Sequence, residues 1–300
     1  MRCGRYKTPS GVFALKLVIL TMKPQSHFVR SVSERAKVRG IETTVLDFKD
    51  LVLHMDGGVR LTADNSDITE AYDSCLARPL SKPTMSEFLF NISVLRVLRS
   101  NGTRVINPPE AYVSCSNKVL AYEIMARAGL PIPATLASQN MRAIKAQGNR
   151  LGENAVIKPV CGSRGTGVMY LSELAERRRY VSPLICQRFV RGSNYDVRAL
   201  VVGDQVVAGM ARVSNEVATN LSRGGIPTPL KLDRESSDLA LMASTALGCD
   251  VCGVDIAINT DGQRFVLEVN SQPDFRGLQN VTDLDIPDRI VSFLEMQVTK

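Results

Sequence analysis

The chain has 300 residues, 44% of them hydrophobic, with seven cysteines, two histidines and a formal charge of +7. That size and apolar content suit two or three domains with their own cores. The apolar stretch at residues 13–22 carries Lys16 and is too short to cross a bilayer, and the basic residues are scattered with few aromatics for base stacking, so membrane and nucleic-acid partners are not expected.

Residues 1–7 read as a basic tail. Residues 15–22 read as a strand, 26–37 as a helix closed by Gly40, and 43–48 as a second strand, which makes a βαβ opening. A hairpin of 51–55 and 59–62 turns at Asp56-Gly57-Gly58. A helix over 86–100 turns Phe88, Ile92, Leu95 and Val97 or Leu98 inward, and 103–106 is the next strand. Pro108-Pro109 breaks the chain and sets the end of a first α/β domain near residue 104. No G-x-G-x-x-G follows the first strand, so a dinucleotide fingerprint is absent.

Asn117 caps a helix running to residue 127, with Gly129 after it and Pro131 and Pro133 stiffening the exit. Short strands follow at 155–158, 168–171 and 184–189. A helix beginning near residue 172 carries Arg177-Arg178-Arg179 as a solvated face. A hairpin of 196–202 and 205–212 turns at Gly203-Asp204, and a helix spans 236–247. Cys249 and Cys252 form a CxxC that follows a helix instead of opening one, which favours packing over redox chemistry. An odd, unframed set of cysteines fits reduced thiols in a cytoplasm.

The last hairpin carries the strongest chemical signal. Residues 253–258 and 264–270 are apolar and branched on either side of Asn259-Thr260-Asp261-Gly262. With Asp261-Gly262 as a two-residue turn, Thr260 faces Gln263, Asp255 faces Glu268, and Asn270 shares their face. Like charges opposed on a buried face need a raised pKa or a cation between them, and three oxygen donors suit a hard ion such as magnesium. Upstream, Lys158 precedes a loop with Gly162, Gly165 and Gly167, whose backbone can close on phosphate. The lysine precedes the glycines, so this is not a Walker motif. Lys118 opens the Asn117 helix, where the dipole also favours an anion. With only two histidines, chemistry falls to Lys, Arg, carboxylates and metal.

In this order the motifs resemble the ATP-grasp superfamily, specifically its RimK-like amino-acid ligases. The resemblance rests on Asn117-Lys118, Val156-Ile157-Lys158-Pro159 with its glycine loop, Gln187-Arg188-Phe189-Val190, Asp196-Val197-Arg198, Asn220 to Gly225, and Gly253-Val254-Asp255 with Leu267-Glu268-Val269-Asn270. It implies an α/β (α+β) ATP-grasp fold in three parts: a Rossmann-like substrate-side domain at 1–104, a lid subdomain at 105–190 and a metal-bearing subdomain at 191–300. It further implies ATP with two magnesium or manganese ions on Asp255, Glu268 and Asn270. Lys118, Lys158 and the loop Gly162, Ser163, Gly165 and Gly167 are expected on the phosphates, and Gln187, Arg188, Phe189 and Val190 on adenine through backbone groups. Arg198 and Arg223 are expected to steady the acyl phosphate, with Asp196 orienting Arg198 or the amine.

The implied activity is amide formation between a carboxylate and an amino acid such as glutamate, on a small-molecule, cofactor or peptide acceptor, in a homodimer or homotetramer. A phosphotransferase on the same fold and a regulator without turnover are the alternatives. Departures from the family pattern stand at Ala218, where an arginine is usual, at Arg188 in the adenine segment, and at Ser271-Gln272-Pro273-Asp274.

Overall fold

The computed structural model describes residues 15–80, 83–162, 166–175, 183–190, 192, 195–213 and 225–298. It divides into two compact units. The first holds the described residues up to Tyr112 with Asp274–Arg276 and those from Asp285 on; the second holds Val113–Pro273 and Gly277–Leu284. Among the described residues, no helix is long and apolar enough to cross a membrane.

The first unit is built on β1 (Lys16–Thr21), α1 (His27–Val38) and β2 (Glu42–Asp47). A hairpin sheet of β3 (Leu51–Met55), β4 (Val59–Ala63) and β5 (Ser66–Asp67) intervenes before β6 (Ser74–Arg78), α2 (Met85–Ser100) and β7 (Arg104–Ile106). The main sheet is parallel, in the order β2-β1-β6-β7. Leu17 to Leu20 of central β1 are fully buried, as a strand covered on both faces requires. The α2 helix begins in a capping box, in which Glu87 N–H donates to Thr84 Oγ1 at 3.2 Å and Thr84 N–H to Glu87 Oε2 at 2.6 Å. It buries Ile92, Leu95 and Leu98 as the periodicity predicts, with Val94 added.

Residues 286–298, grouped by the sequence reading with the metal hairpin, form a C-terminal helix (Ile286–Val298) that packs on α1 in this first unit. Ile286, Ile290, Val291, Phe293 and Leu294 are its buried face. At the rim Arg39 takes Asp288 at 2.8 and 2.9 Å and Glu295 at 2.8 Å, and Arg35 pairs with Asp285. These exposed pairs fix alignment and add little energy.

Pro108-Pro109 follows the end of β7 and leads straight into a helix that the sequence reading did not place. Pro109 opens α3 (Pro109–Ser116), because a proline in the first turn gives up no helical hydrogen bond. The second unit continues with α4 (Lys118–Arg127), β8 (Thr135–Ser138), α5 (Met141–Gly148), β9 (Val156–Pro159), β10 (Met169–Tyr170) and β11 (Leu184–Gln187). Their strands form an antiparallel sheet ordered β10-β9-β11-β8 over Ile144, Ile157, Leu171, Leu174 and Leu184. The helix expected from residue 172 appears as a 3-10 turn over Leu171–Ala175; Arg177 to Arg179 lie outside the described residues.

A second antiparallel sheet follows, ordered β14-β13-β12-β15-β16, from β12 (Tyr195–Val202), β13 (Gln205–Val213), β14 (Ile226–Pro229), β15 (Val251–Ile258) and β16 (Arg264–Asn270). Helix α6 (Arg234–Ala246) covers β12, β13, β15 and β16, capped by Asp233, whose Oδ1 accepts Ser236 N–H at 2.8 Å. The CxxC is packed away as expected, with Cys249 and Cys252 buried and Cys249 Sγ 3.5 Å from Cys115 Sγ.

Candidate active site

Registry across the second sheet lines up charge. Asp255 on β15 faces Glu268 on β16, as the sequence predicts, but by a different route. The turn spans three residues: Asn259 N–H donates to Gln263 O at 2.9 Å, which puts Asn259 and not Thr260 opposite Gln263. A bulge between the pairs Ile256–Val266 and Asp255–Glu268 inserts Leu267 and restores the register. The carbonyl of Leu267 accepts Tyr122 Oη–H at 2.7 Å.

On its other side Asp255 faces Arg198 of β12, and Asp196 of β12 faces Arg212 of β13. Arg198 Nη2 donates to Asp255 Oδ2 at 3.1 Å. Its Nε lies 2.5 Å from Oδ1, off the line of a hydrogen bond. Arg212 Nη2 reaches the same Oδ2 at 2.8 Å and grips Asp196 with two bonds, that from Nε at 2.7 Å. Asp196, Arg212 and Asp255 are all buried. Burial drives the Asp255 carboxyl upward while Arg198 and Arg212 pull it down. Glycine at 253 leaves room for this crossing: a Cβ there would land on Arg198 Nη1 and the guanidinium would have to shift.

Two lysines close the other end. Lys118, first residue of α4, bonds Glu268 Oε1 at 2.9 Å and the Gly162 carbonyl at 2.8 Å. Against burial, which pushes Glu268 up, Lys118 holds that carboxyl below the usual range. Lys158 Nζ donates to Tyr122 Oη at 2.5 Å and to Gln187 Oε1 at 2.7 Å, and Gln187 Nε2 donates to Thr135 Oγ1 at 2.7 Å. Lys158 thus points between uncharged acceptors, and burial lowers its pKa to about 8. Four cations, Lys118, Lys158, Arg198 and Arg212, meet three acids, Asp196, Asp255 and Glu268, so the site has positive charge to spare for a polyanion.

Residues 115–294 match the RimK-like ATP-grasp domain. The chain belongs to the RimK-like ATP-grasp family. Among curated proteins it is 30% identical over 295 residues to a probable alpha-L-glutamate ligase of Rhodopirellula baltica, covering 95% of this chain and 72% of that one. It is 28% identical over 282 residues to human beta-citrylglutamate synthase B, covering 90% and 73%. Among solved structures, ATP-grasp ligase PsnB complexed with minimal precursor, Mg and ADP superposes with a TM-score of 0.75 at 23% identity, covering 95% and 98%. The RimK domain protein of Sphaerobacter thermophilus gives 0.70 at 20% identity, covering 92% and 98%. The fold is therefore ATP-grasp, and this RimK-like protein is an ATP-dependent ligase.

Within the RimK-like site, Lys118, Lys158, Arg198, Asp255, Glu268 and the Gly162 carbonyl form one network. Asn270 lies on β16 beyond Glu268, its Oδ1 accepting Gln272 N–H at 2.9 Å. Gly167 has φ +79° and backs onto Pro159, a conformation that suits glycine. Arg223, Ser163 and Gly165 lie outside the described residues.

Three contacts lie outside the sequence reading. Asp196 is bound by Arg212, which stands directly across the ladder. The opposed carboxylates are met by Arg198, Arg212 and Lys118, side-chain cations that the pairing by itself does not call for. The Gln187 side chain bonds Lys158 and Thr135 while its backbone lies in the ladder between β8 and β9, and Arg188 N–H donates to Ala134 O at 2.8 Å. Tyr122 and Thr135, which hold Lys158 and Gln187, carry no sequence signal of their own. Tyr122 sits four residues after Lys118 on α4, a spacing that does place both on one face.

Proposed function

We propose that this ligase uses magnesium-ATP to convert a carboxylate to an acyl phosphate and then joins it to an amine, with L-glutamate as one substrate and a small molecule, cofactor or peptide as the other. The observation that carries the reading is Lys118 paired to Glu268 of the Asp255–Glu268 floor, with Lys158 aimed by Tyr122 and Gln187. The names of the relatives, alpha-L-glutamate ligase and beta-citrylglutamate synthase, support glutamate.

The residues fit a divalent ion. Asp255 Oδ1 is buried with no aligned hydrogen bond, and Glu268 and Asn270 add two further oxygen donors of the kind a hard cation takes. Asp255, Glu268 and Asn270 would hold it, and when bound it would supply neutralising charge for phosphoryl transfer. Two ions would match the charge of a triphosphate, and two is the number proposed.

In this reading Lys118 exchanges Glu268 for a phosphate, which leaves that carboxylate open. Lys158, aimed by Tyr122 and Gln187, meets the phosphates from the other side. Arg198 steadies the acyl phosphate, with Arg223 proposed beside it, and Asp196 acts through Arg212. Gly162, Ser163, Gly165 and Gly167 would cover the phosphates, and residues 187–190 would border adenine. The sheet of β8–β11 is proposed as the lid and that of β12–β16 as the metal-bearing part; a homodimer or homotetramer is the proposed assembly.

The test is incubation of purified protein with ATP, magnesium, glutamate and candidate acids, following ADP, phosphate and product mass. ADP and free phosphate in equal amounts with an amide product are expected. A phosphorylated product without free phosphate would overturn the reading in favour of a kinase.

A further inference from the structure

Three cysteines from two distant segments meet in the second unit. Cys115 lies on α3, Cys249 in the turn between α6 and β15, and Cys252 near the start of β15. Cys115 Sγ and Cys249 Sγ are 3.5 Å apart, across 134 positions of sequence. Cys252 contacts Cys249 as well and is fully buried, whereas Cys115 and Cys249 keep 9% and 7% of their surface exposed, enough for a small oxidant to reach. Packing as a small apolar residue accounts for a single buried thiol; it does not call for two sulfurs in contact.

A disulfide holds its sulfurs about 2.05 Å apart, so this pair has about 1.5 Å left to close. The two ends are not equally free to move. Cys249 is clamped by Ser244, whose carbonyl accepts Cys249 N–H at 2.9 Å and whose hydroxyl donates to the Cys249 carbonyl at 2.8 Å. Cys115 is the next-to-last residue of α3, a helix of eight residues, so the shift falls there. Two residues on, Asn117 caps α4 by accepting Val119 and Leu120 N–H, and Lys118 follows, bonded to Glu268 and to the Gly162 carbonyl. Movement of Cys115 is thus passed directly to Lys118.

We propose that Cys115 and Cys249 form a reversible disulfide under peroxide, and that the bond draws Lys118 away from the phosphates. One thiol of the pair takes an oxygen atom from hydrogen peroxide, giving a sulfenic acid and water; the other attacks that sulfur and releases a second water. In all, two thiols lose two electrons and two protons, which the peroxide accepts. A dithiol reductant restores both thiols by exchange. The bond joins two segments and is distinct from a link within the CxxC, which would leave α3 where it is. The effect on turnover rests on the ligase reading above; the bond does not.

The test treats wild-type protein with hydrogen peroxide, alkylates the remaining thiols and cleaves before Asp250, which separates Cys249 from Cys252. A Cys115–Cys249 peptide pair lighter by two hydrogens is expected, and dithiothreitol should abolish it. Kinetics use Cys161→Ser protein, which lacks the exposed thiol next to Gly162. In its glutamate-dependent ADP release, oxidation should raise the KM for ATP by about tenfold, as a contact misplaced by about 1 Å can, and dithiothreitol should reverse the rise. Adding Cys115→Ser should leave the reduced KM unchanged and remove the response, and Cys115→Ala keeps the test valid if serine disturbs packing. A Cys249–Cys252 link, no link, an unchanged KM in linked protein, or a response that survives both Cys115 variants overturns the proposal. Protein that releases no ADP with glutamate and any acid before oxidation overturns the ligase reading instead, and the peptide map still decides the bond.

Discussion

Lys158 titrates within reach of ordinary buffers. Its folded pKa of about 8 lies below the usual 10.5, so between those values the unfolded chain holds a proton that the folded chain lacks. Stability from this group therefore rises with pH across that window, as urea melts at several pH values would show. Function moves the other way, because the ammonium is the form that meets phosphate: kcat/KM for ATP should fall above a pH of about 8, with kcat at saturating ATP holding to higher pH. A profile flat to pH 10 would remove Lys158 from the phosphate site.

Gly253→Ala should push Arg198 off Asp255. We expect turnover to fall by about two orders of magnitude, as for loss of one transition-state donor, and the melting temperature to fall as well, because Asp255 stays buried with one cation fewer. Arg212→Gln acts on the same carboxylate from the other side. It leaves Asp196 and Asp255 buried with one cation fewer and should cost about 3–5 kcal/mol in denaturant unfolding. The residue types of this site were legible from Asp255, Glu268, Lys118 and Lys158 alone. Who pairs with whom was not, because Arg212 becomes a ligand of both Asp196 and Asp255 only once β13 lies beside β12.

Among elements, the last hairpin shows how a sound expectation can rest on a mistaken path. A two-residue turn with an even ladder and a three-residue turn with one bulge both put Asp255 opposite Glu268. Alternation of apolar residues cannot separate them, since Leu267 is apolar like its neighbours. Deleting Leu267 tests the difference: with the three-residue turn the deletion removes the bulge and leaves Asp255 opposite Glu268, so magnesium-dependent turnover should persist, whereas an even ladder would carry Glu268 past Asp255 and abolish it. Helices announced by caps, such as those starting at Met85 and Lys118, were legible; α3 and the C-terminal helix were not, the first because Pro109 reads as a breaker and the second because no motif marks it.

For the whole molecule, the magnesium-nucleotide reading predicts linkage. Magnesium-ADP at about 100 times its Kd should stabilise the protein by about 2.7 kcal/mol, seen as a higher melting temperature, and EDTA should abolish most of that gain. An EDTA-insensitive shift would count against Asp255, Glu268 and Asn270 as ligands.

The C-terminal helix on α1 also has a consequence for how the protein is made. Its buried side chains finish the core of a unit whose other described residues end at Tyr112, apart from Asp274–Arg276 and Asp285. At about 5–20 residues per second, roughly 10–40 s of synthesis separate the last residue of that opening stretch from the helix that covers it. Throughout that interval the nascent first unit shows an open apolar face on α1, and the ribosome-bound chain should be a chaperone client until the C-terminal helix has emerged and docked.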